Sequence, residues 1–589
     1  NNPLDTGYGY SNMLFGVFQT MDQSSAYING LYRYWNIEEY VQDTWKITPR
    51  LTLDYGIRGS WYQPQYDAGL QASTFILSDW NAAKAPRLYV PATNPATGQR
   101  SAYDSVANTY LPSYDIGLEI PNSGDPFNGI CQAAKCIGKY LQKNRGNQWG
   151  PRFGVAWDVF GDSRMVIRTG GGIYYDRFQG NRVFDFVRNP PETVQPTLYY
   201  GFAQNISAGN ALLGPPTLFA ADPTGKIPTT YNYQFSIQTR LPWSMALDTA
   251  YVGTQGRHLQ DNRNLNYVPY GADFLPQNQD PTLSSTALLG NSALSPNFLR
   301  PIYGYSNITL YESQSTSNYN ALQVALNRRA ANGLFLGVTY TWSKAMTTAS
   351  TDTTSVRVDQ YQKIANYGPA SFDTRQNFAL NYVYQIPGWK QNFLSRAITN
   401  GWQVSGVTSI RTGMPFTPGF SVASAGSQNQ TGSNTETARI GVVAGCNPNT
   451  GSSDPFNRLN AACFFAPSPG STGLESGVNW LYNPGLIQFD VALQRDFAVK
   501  ERYHFQFRVD AFNVFNHANF TSLNTTLNFN AYPTSNGIVT GLPGLANNAT
   551  PYNSAGRLVN VTGFGSGISP AAGNPGGPRV LQLLARFSF

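Results

Sequence analysis

The 589-residue chain has a formal net charge of +7, only 12% charged residues and 14% aromatics, with 36 Tyr and 34 Phe. Charge this sparse and spread along the chain argues against a nucleic-acid partner. No apolar run approaches the ~18 residues of a transmembrane helix, which leaves strands of about ten residues as the means of crossing a bilayer.

Many aromatics and few charges suit a membrane barrel with aromatic girdles and polar loops. They equally suit a secreted carbohydrate-binding β protein. The chain opens at Asn1-Asn-Pro-Leu4 without an initiator Met or signal peptide, so a processed or truncated protein is expected.

Period-two alternation marks the strands. Asn12–Thr20 alternates weakly and is a candidate extra strand. Tyr32–Ile47 leads through Thr48, Pro49 and Arg50 into Leu51–Trp61, where Leu51, Leu53, Tyr55, Ile57 and Trp61 share a face. Arg152–Phe160, with Phe153, Val155, Trp157 and Val159 on one side, turns at Gly161, Asp162 and Ser163 into Arg164–Tyr175. Thr230–Arg240, carrying Tyr233, Phe235 and Ile237, turns at Pro242, Trp243 and Ser244 into Met245–Gly256. Asn318–Arg328 turns through Asn332 and Gly333 into Leu334–Lys344, with Leu336, Val338, Tyr340 and Trp342 on one face. Thr374–Ile386 connects less tightly, through 387–400, to Gly401–Arg411. Leu486–Phe497 turns through Lys500 and Glu501 into Arg502–Phe515. The last residues place Leu581, Leu583, Ala585, Phe587 and Phe589 opposite Val580, Gln582, Leu584, Arg586 and Ser588.

Short links of Pro, Gly, Asn or Asp within each pair are hairpin chemistry. Between pairs lie long Gly-, Pro-, Ser- and Asn-rich connections at 62–151, 176–229, 257–317, 345–373, 412–485 and 516–576. A compact soluble domain rarely holds such loops. A transmembrane antiparallel β-barrel does, with short periplasmic turns on one side and long extracellular loops on the other. The expected architecture is therefore all-β, one barrel domain over 1–589 with about 14 strands, its terminal strand ending on the periplasmic side. Glu39 and Asp43 fall on the face meant for lipid; Asp43 lies near the turn, and Glu39 has no account from sequence. The four cysteines fall as two local pairs and are expected to form loop disulfides, Cys131–Cys136 and Cys446–Cys463, the alternative being free thiols. The three histidines, His258, His504 and His517, neighbour no cysteine, so zinc is not expected.

Tyr40-Val-Gln-Asp-Thr-Trp-Lys-Ile-Thr-Pro-Arg-Leu-Thr-Leu-Asp-Tyr-Gly-Ile-Arg58 resembles a barrel hairpin of TonB-dependent outer-membrane receptors. Pro151–Gly161, Tyr251–Leu259, Ser317–Arg328, Tyr340–Lys344, Phe507–His517 and the terminal Phe589 resemble the Oar-like branch of that superfamily, in one order over almost the whole chain. The resemblance implies a bacterial cell outer-membrane transport barrel of about 22 strands with an N-terminal plug and a TonB box. It implies as partners outer-membrane lipid, the barrel-assembly machinery reading Phe587 and Phe589, and the TonB complex acting through the plug. No plug, TonB box or regulatory domain is found, so the chain is expected to be the C-terminal part of such a barrel, importing or exporting an oligosaccharide, peptide or chelate. A structural or adhesive surface barrel is the alternative.

Nothing reads as catalytic, and no enzyme activity, cofactor or metal is expected: Gly-x-Ser-x-Gly, P-loop and His-Glu-x-x-His motifs are missing. Gly170, Gly171 and Gly172 lie within a strand, where they permit close approach. Arg58, Asp158, Arg168, Asp248, Asp490, Arg508, Asp510 and Arg586 fall on polar strand faces. A ladder holding the wall is expected of them before direct ligand binding. Loop aromatics (Tyr199, Tyr200, Tyr303, Tyr305, Tyr361) suit sugars or peptides.

Overall fold

Alternating runs joined by tight turns pair with their sequence neighbours, and here they do so twelve times along one path. The computed structural model describes residues 5–205, 212–284, 290–331, 333–356, 365–388, 399–423, 430–499, 503–536, 538–570 and 574–589. Thirteen strands form one antiparallel path in chain order: β1 (Asn36–Thr48), β2 (Leu51–Tyr62), β3 (Asn147–Asp158), β4 (Met165–Tyr175), β5 (Thr229–Leu241), β6 (Met245–Asn264), β7 (Ile308–Ala331), β8 (Leu334–Thr347), β9 (Gln376–Gln385), β10 (Trp402–Arg411), β11 (Leu486–Val499), β12 (Tyr503–Phe512) and β13 (Val580–Ser588). The turn residues Asn332, Lys500, Glu501 and Arg502, most of the 387–400 link, and Tyr361 lie outside the described residues. Short and long connections alternate, so every short link sits at one end of the sheet, where β13 also finishes opposite His504.

The register sorts the side chains. Leu53, Val155, Thr169, Phe235, Tyr251, Leu322 and Trp342 are successive cross-strand partners on one face. Leu493, Val509 and Leu583 continue it at the far end. Among the described residues no second layer covers this face: Phe235 is 46% exposed, Phe587 51% and Leu583 78%. In water an apolar surface this wide would drive association; in hydrocarbon it is required. Trp45, Trp157 and Trp402 mark its turn end, and Trp61, Trp149 and Trp342 its loop end, the two girdles of a membrane wall.

Polar groups on this face have local partners. Tyr55 donates to the Asp43 carboxylate (2.9 Å), and Tyr233 and Tyr251 both donate to Asn320 Oδ1 (2.9 and 2.8 Å). Glu39 lies opposite Gly59 at the loop-end girdle, where a Cβ on Gly59 would come within 3.1 Å of its carboxylate and 2.9 Å of Trp149. The glycine opens a slot for Glu39 at the interface, where a charge costs far less than at mid-membrane.

Two expectations are corrected. Asn12–Thr20 adds no fourteenth strand to the sheet. Gly9–Phe15 is helical and stops at Gly16 (φ 69°); Val17–Asp22 then pairs with Thr197–Phe202 in a separate ribbon. The 257–317 connection is shorter than expected, because β6 runs on to Asn264 and β7 begins at Ile308. A register shift after Gly256, with His258 at φ 54°, marks where β6 leaves the even ladder.

The long connections are folded rather than structureless. Phe75, Leu218, Tyr305 and Ile308 form one core, Val183, Phe186 and Val187 another, and Ile440, Phe464, Leu527, Phe529 and Phe564 a third built from the last two long connections. Cys131 is bonded to Cys136 and Cys446 to Cys463, with Cα atoms 5.7 and 5.4 Å apart. The caps meet where Gly271 and Asp273 amides donate to Thr431 and Gly432 carbonyls (2.8 and 2.9 Å). Among the described residues no ladder joins β1 to β13.

Phe235→Arg at mid-strand is expected to destabilise the protein refolded in vesicles by about 2–4 kcal/mol, and Gln234→Arg on the polar face by less than about 1 kcal/mol. Urea unfolding measures both; equal losses would reject this assignment of faces.

Candidate functional site

Strand parity places Arg58, Arg168, Asp248, Asp490, Arg508, Asp510 and Arg586 on the polar face, together with Asp158. They share a face but not a site, since β2 and β12 stand near opposite ends of the path. Most are held by neighbours. Arg58 pairs with Glu38, which also accepts from Tyr62 (2.8 Å). Arg168 donates to Gln238 (2.8 Å), and Arg508 to Asp510 (2.8 Å). Asp158 accepts from the Gly161 and Ser163 amides (both 2.9 Å) and so fixes the β3–β4 turn. Asp490 accepts from Gln488 and from the Asn513 amide (2.9 and 2.8 Å). Asp248 faces Gln238 and Ala325 across its two ladders.

The loop end of the sheet is more open. Past the β4 end, before β5, on the β6 extension and past the β8 end, four segments surround a cavity of ≈ 710 Å³. Asp176, Arg177, Gln179, Gln260, Thr351 and Asp352 are among its lining residues. Arg177 stacks on Tyr34 at 3.8 Å, and the Gln179 amide donates to Gln260 Oε1 (3.3 Å). Segment 349–355 is tied to β6 where the Asn262 amide donates to the Thr354 carbonyl (3.0 Å). Gln260 is 7% exposed, and its Nε2, like Arg177 Nη1, has no hydrogen-bond partner among the described residues. Amides, hydroxyls, two carboxylates and one guanidinium converge here, a set that hydrogen-bonds hydroxyl- or carbonyl-rich ligands.

Behind the cavity, beyond the membrane-crossing part of β6 and β7, lies a buried charge cluster. Glu312 pairs with Arg263 at 3.0 Å and accepts from Gln314 (2.7 Å). Arg182 donates to the Asp261 carbonyl (3.1 Å) and lies 5.0 Å over the Tyr311 ring, whose hydroxyl donates to Asp185 (2.5 Å). Ser315 donates to the Asp261 carboxylate. Burial pushes the Glu312 carboxyl up to about 7, with Asp261 and Asp222 adding to the rise and Arg263 opposing it. Burial also raises Asp261 and lowers Arg182. Among the described residues no group of three or more acidic, His or Cys side chains is arranged to hold a metal ion.

Sequence reading missed both the cavity and the cluster, because it ended β6 at Gly256 and began β7 at Asn318. Ile308 and Leu310, two apart before Glu312, were the signal that β7 starts earlier. Of the loop tyrosines, Tyr305 is corrected to a core residue: it is 1% exposed and donates to the Asn128 carbonyl (2.7 Å). Tyr303 is half exposed, and Tyr199 lies in the Thr197–Phe202 ribbon.

The model of a family described as "outer membrane beta barrel domain" matches residues 1–557. Among solved structures, the chain is similar to the outer membrane transporter YddB from Escherichia coli (9% identity, TM-score 0.37), covering 87% of this chain and 52% of that one. It is similar to the ferric-catecholate import receptor Fiu from E. coli K12 (12%, 0.34), covering 84% and 41%. It is also similar to the siderophore receptor PiuA from Acinetobacter baumannii (9%, 0.34), covering 87% and 41%. The chain thus spans about half the length of these structures or less. No curated protein matches it in sequence.

A carboxyl whose pKa is raised by folding stabilises the fold fully below its unfolded value, and that contribution is lost as pH rises through the folded value. For Glu312 the window runs from its ordinary 4.5 to about 7. Hydrogen exchange in 259–264 and 308–315, corrected for intrinsic rates, is therefore expected to lose protection from pH 5 to pH 7.5. Glu312→Gln is expected to flatten that dependence; an unchanged slope would contradict it.

Proposed function

The chain belongs to the outer membrane beta barrel domain family, and we propose that it works as the transport barrel of a TonB-dependent receptor. The family is one of bacterial outer-membrane barrels, not of enzymes. In our reading this chain is an Oar-like member and the C-terminal part of a larger barrel of about 22 strands. Its plug and TonB box lie upstream, and the TonB complex acts through them. The assembly machinery reads the terminal aromatics Phe587 and Phe589, of which Phe587 packs against Phe505 of β12 and Phe589 against Phe587.

The observation that carries this reading is the polar cavity just past the loop end of the sheet, between the ends of β4 and β8 and the extension of β6. A ligand held by Arg177, Gln260 and Asp352 would stand at the entrance to the polar side of the wall. The donor set favours an oligosaccharide, a peptide or a hydroxyl-rich chelate. A second reading, a structural or adhesive surface barrel, draws on the caps, whose cores are large enough to present a fixed outer surface.

Cells expressing the whole gene are expected to accumulate at least one member of a labelled panel of oligosaccharides, peptides and ferric chelates. Accumulation should stop when a protonophore collapses the proton gradient, and Gln260→Leu should weaken half-saturation roughly tenfold, the cost of about one buried hydrogen bond. Uptake that survives gradient collapse would reject energy coupling. Uptake equal to that of a deletion strain for every ligand would favour the adhesive reading.

A further inference from the structure

A second cavity, of ≈ 480 Å³, lies in the caps, between the β2–β3 connection, the β4–β5 connection and the end of the Val17–Asp22 ribbon. Four prolines, Pro126, Pro190, Pro215 and Pro216, stand in its walls beside Phe127 and Phe219. A proline brings a carbonyl and no N–H. Several donors of the other lining residues are already in use. The Phe127 amide donates to Asp125, the Val194 amide to Ser25 and the Phe219 amide to Asn189 (all 2.9 Å), and the Glu119 amide to the Leu213 carbonyl (2.8 Å). The Ser24 hydroxyl donates to the Ala26 carbonyl (2.9 Å). Arg188 is paired with Asp185 (3.1 Å) and lies 5.4 Å over the Phe219 ring. The walls are therefore rich in acceptors and poor in free donors.

Glu119 sharpens that imbalance. It lines the cavity at 5% exposure, its Oε1 has no hydrogen-bond partner, and among the described residues no cation lies within salt-bridge reach of it. Burial pushes its carboxyl up to about 8. The charged and titratable groups nearby are Asp22 and Arg188 of the same cavity and Tyr305, whose hydroxyl is committed to the Pro126 and Asn128 carbonyls (3.2 and 2.7 Å). A carboxyl this deep is costly to ionise and keeps its proton until a cation reaches it. No described side chain supplies that cation. An ammonium group entering from outside would, and it would bring the N–H donors that the proline walls lack.

We propose that this cavity binds an organic ammonium ligand, with the ammonium group on the Glu119 carboxylate and the apolar body against Phe127 and the proline walls. The site is separate from the cavity at the β6 extension and does not depend on the transport reading.

The test is isothermal titration calorimetry of the full chain in detergent at neutral pH, with three probes that share one ring: tryptamine, its neutral counterpart tryptophol, and indole-3-propionate. Tryptamine is expected to bind at least about tenfold more tightly than the other two, a preference typical of charge-assisted contacts. Glu119→Gln, which keeps the size of the side chain and is checked for folding by heat-modifiable gel migration, is expected to bring tryptamine down to the level of tryptophol. Equal binding of tryptamine and tryptophol by the wild-type protein, or no binding of tryptamine, would overturn the proposal whether or not the variant folds. So would an unchanged preference in the folded Glu119→Gln variant. Loss of the preference in Asp22→Asn while Glu119→Gln keeps it would move the ammonium group to the rim and overturn it as well.

Discussion

Apolar side chains on one face of the thirteen-strand path have none of the described residues over them, and the rest of the molecule follows from what must cover that face. Leaving one large apolar side chain in water rather than burying it costs about 1.5–3 kcal/mol. A dozen such side chains would outweigh the 5–15 kcal/mol that typically holds a domain together. Lipid removes the penalty and imposes a second rule, that each backbone amide and carbonyl find a partner within the protein. Interior strands meet it through two ladders each. The outer edges of β1 and β13 require the same in the bilayer.

The two faces divide the chemistry. On the apolar side the few polar groups are drawn to the girdles or to one another, as with Asn320 between two tyrosine hydroxyls and Glu39 over Gly59. On the polar side charges engage near neighbours: Arg58 pairs with Glu38, Arg168 with Gln238 and Arg508 with Asp510. At the loop end Arg177, Gln260 and Asp352 line one cavity. There the buried cluster of Arg182, Asp261, Arg263 and Glu312 keeps the extended parts of β6 and β7 together. Breaking one partner of such a cluster is far costlier than forming it is favourable.

Alternation made the wall legible: Leu53, Phe235, Phe489 and Phe587 fall on one face in sequence and in register alike. Period two needs no tertiary knowledge once one face is apolar. The caps were not legible, because Phe464, Leu527 and Phe564 lie far apart in segments of no period and meet only through long-range packing. The same gap hid the cavity at the mouth. At Asn12–Thr20 the local pattern misled: a helix and a Gly16 turn took residues whose alternation was too short to compel a strand. The Phe507–His517 motif had a hidden purpose. Asn513 is buried at its centre, donating to the His517 and Gly577 carbonyls (both 2.9 Å) and so joining the end of β12 to the approach to β13.

The most direct measurement uses nitroxide labels placed one at a time at positions 487 to 494 of β11, with the protein in lipid vesicles. Collision with oxygen, which concentrates in hydrocarbon, is expected to peak at 487, 489, 491 and 493, and collision with a water-soluble nickel chelate at the positions between. A chelate signal with no period of two, or one strongest at Phe489 and Val491, would contradict a lipid-facing wall.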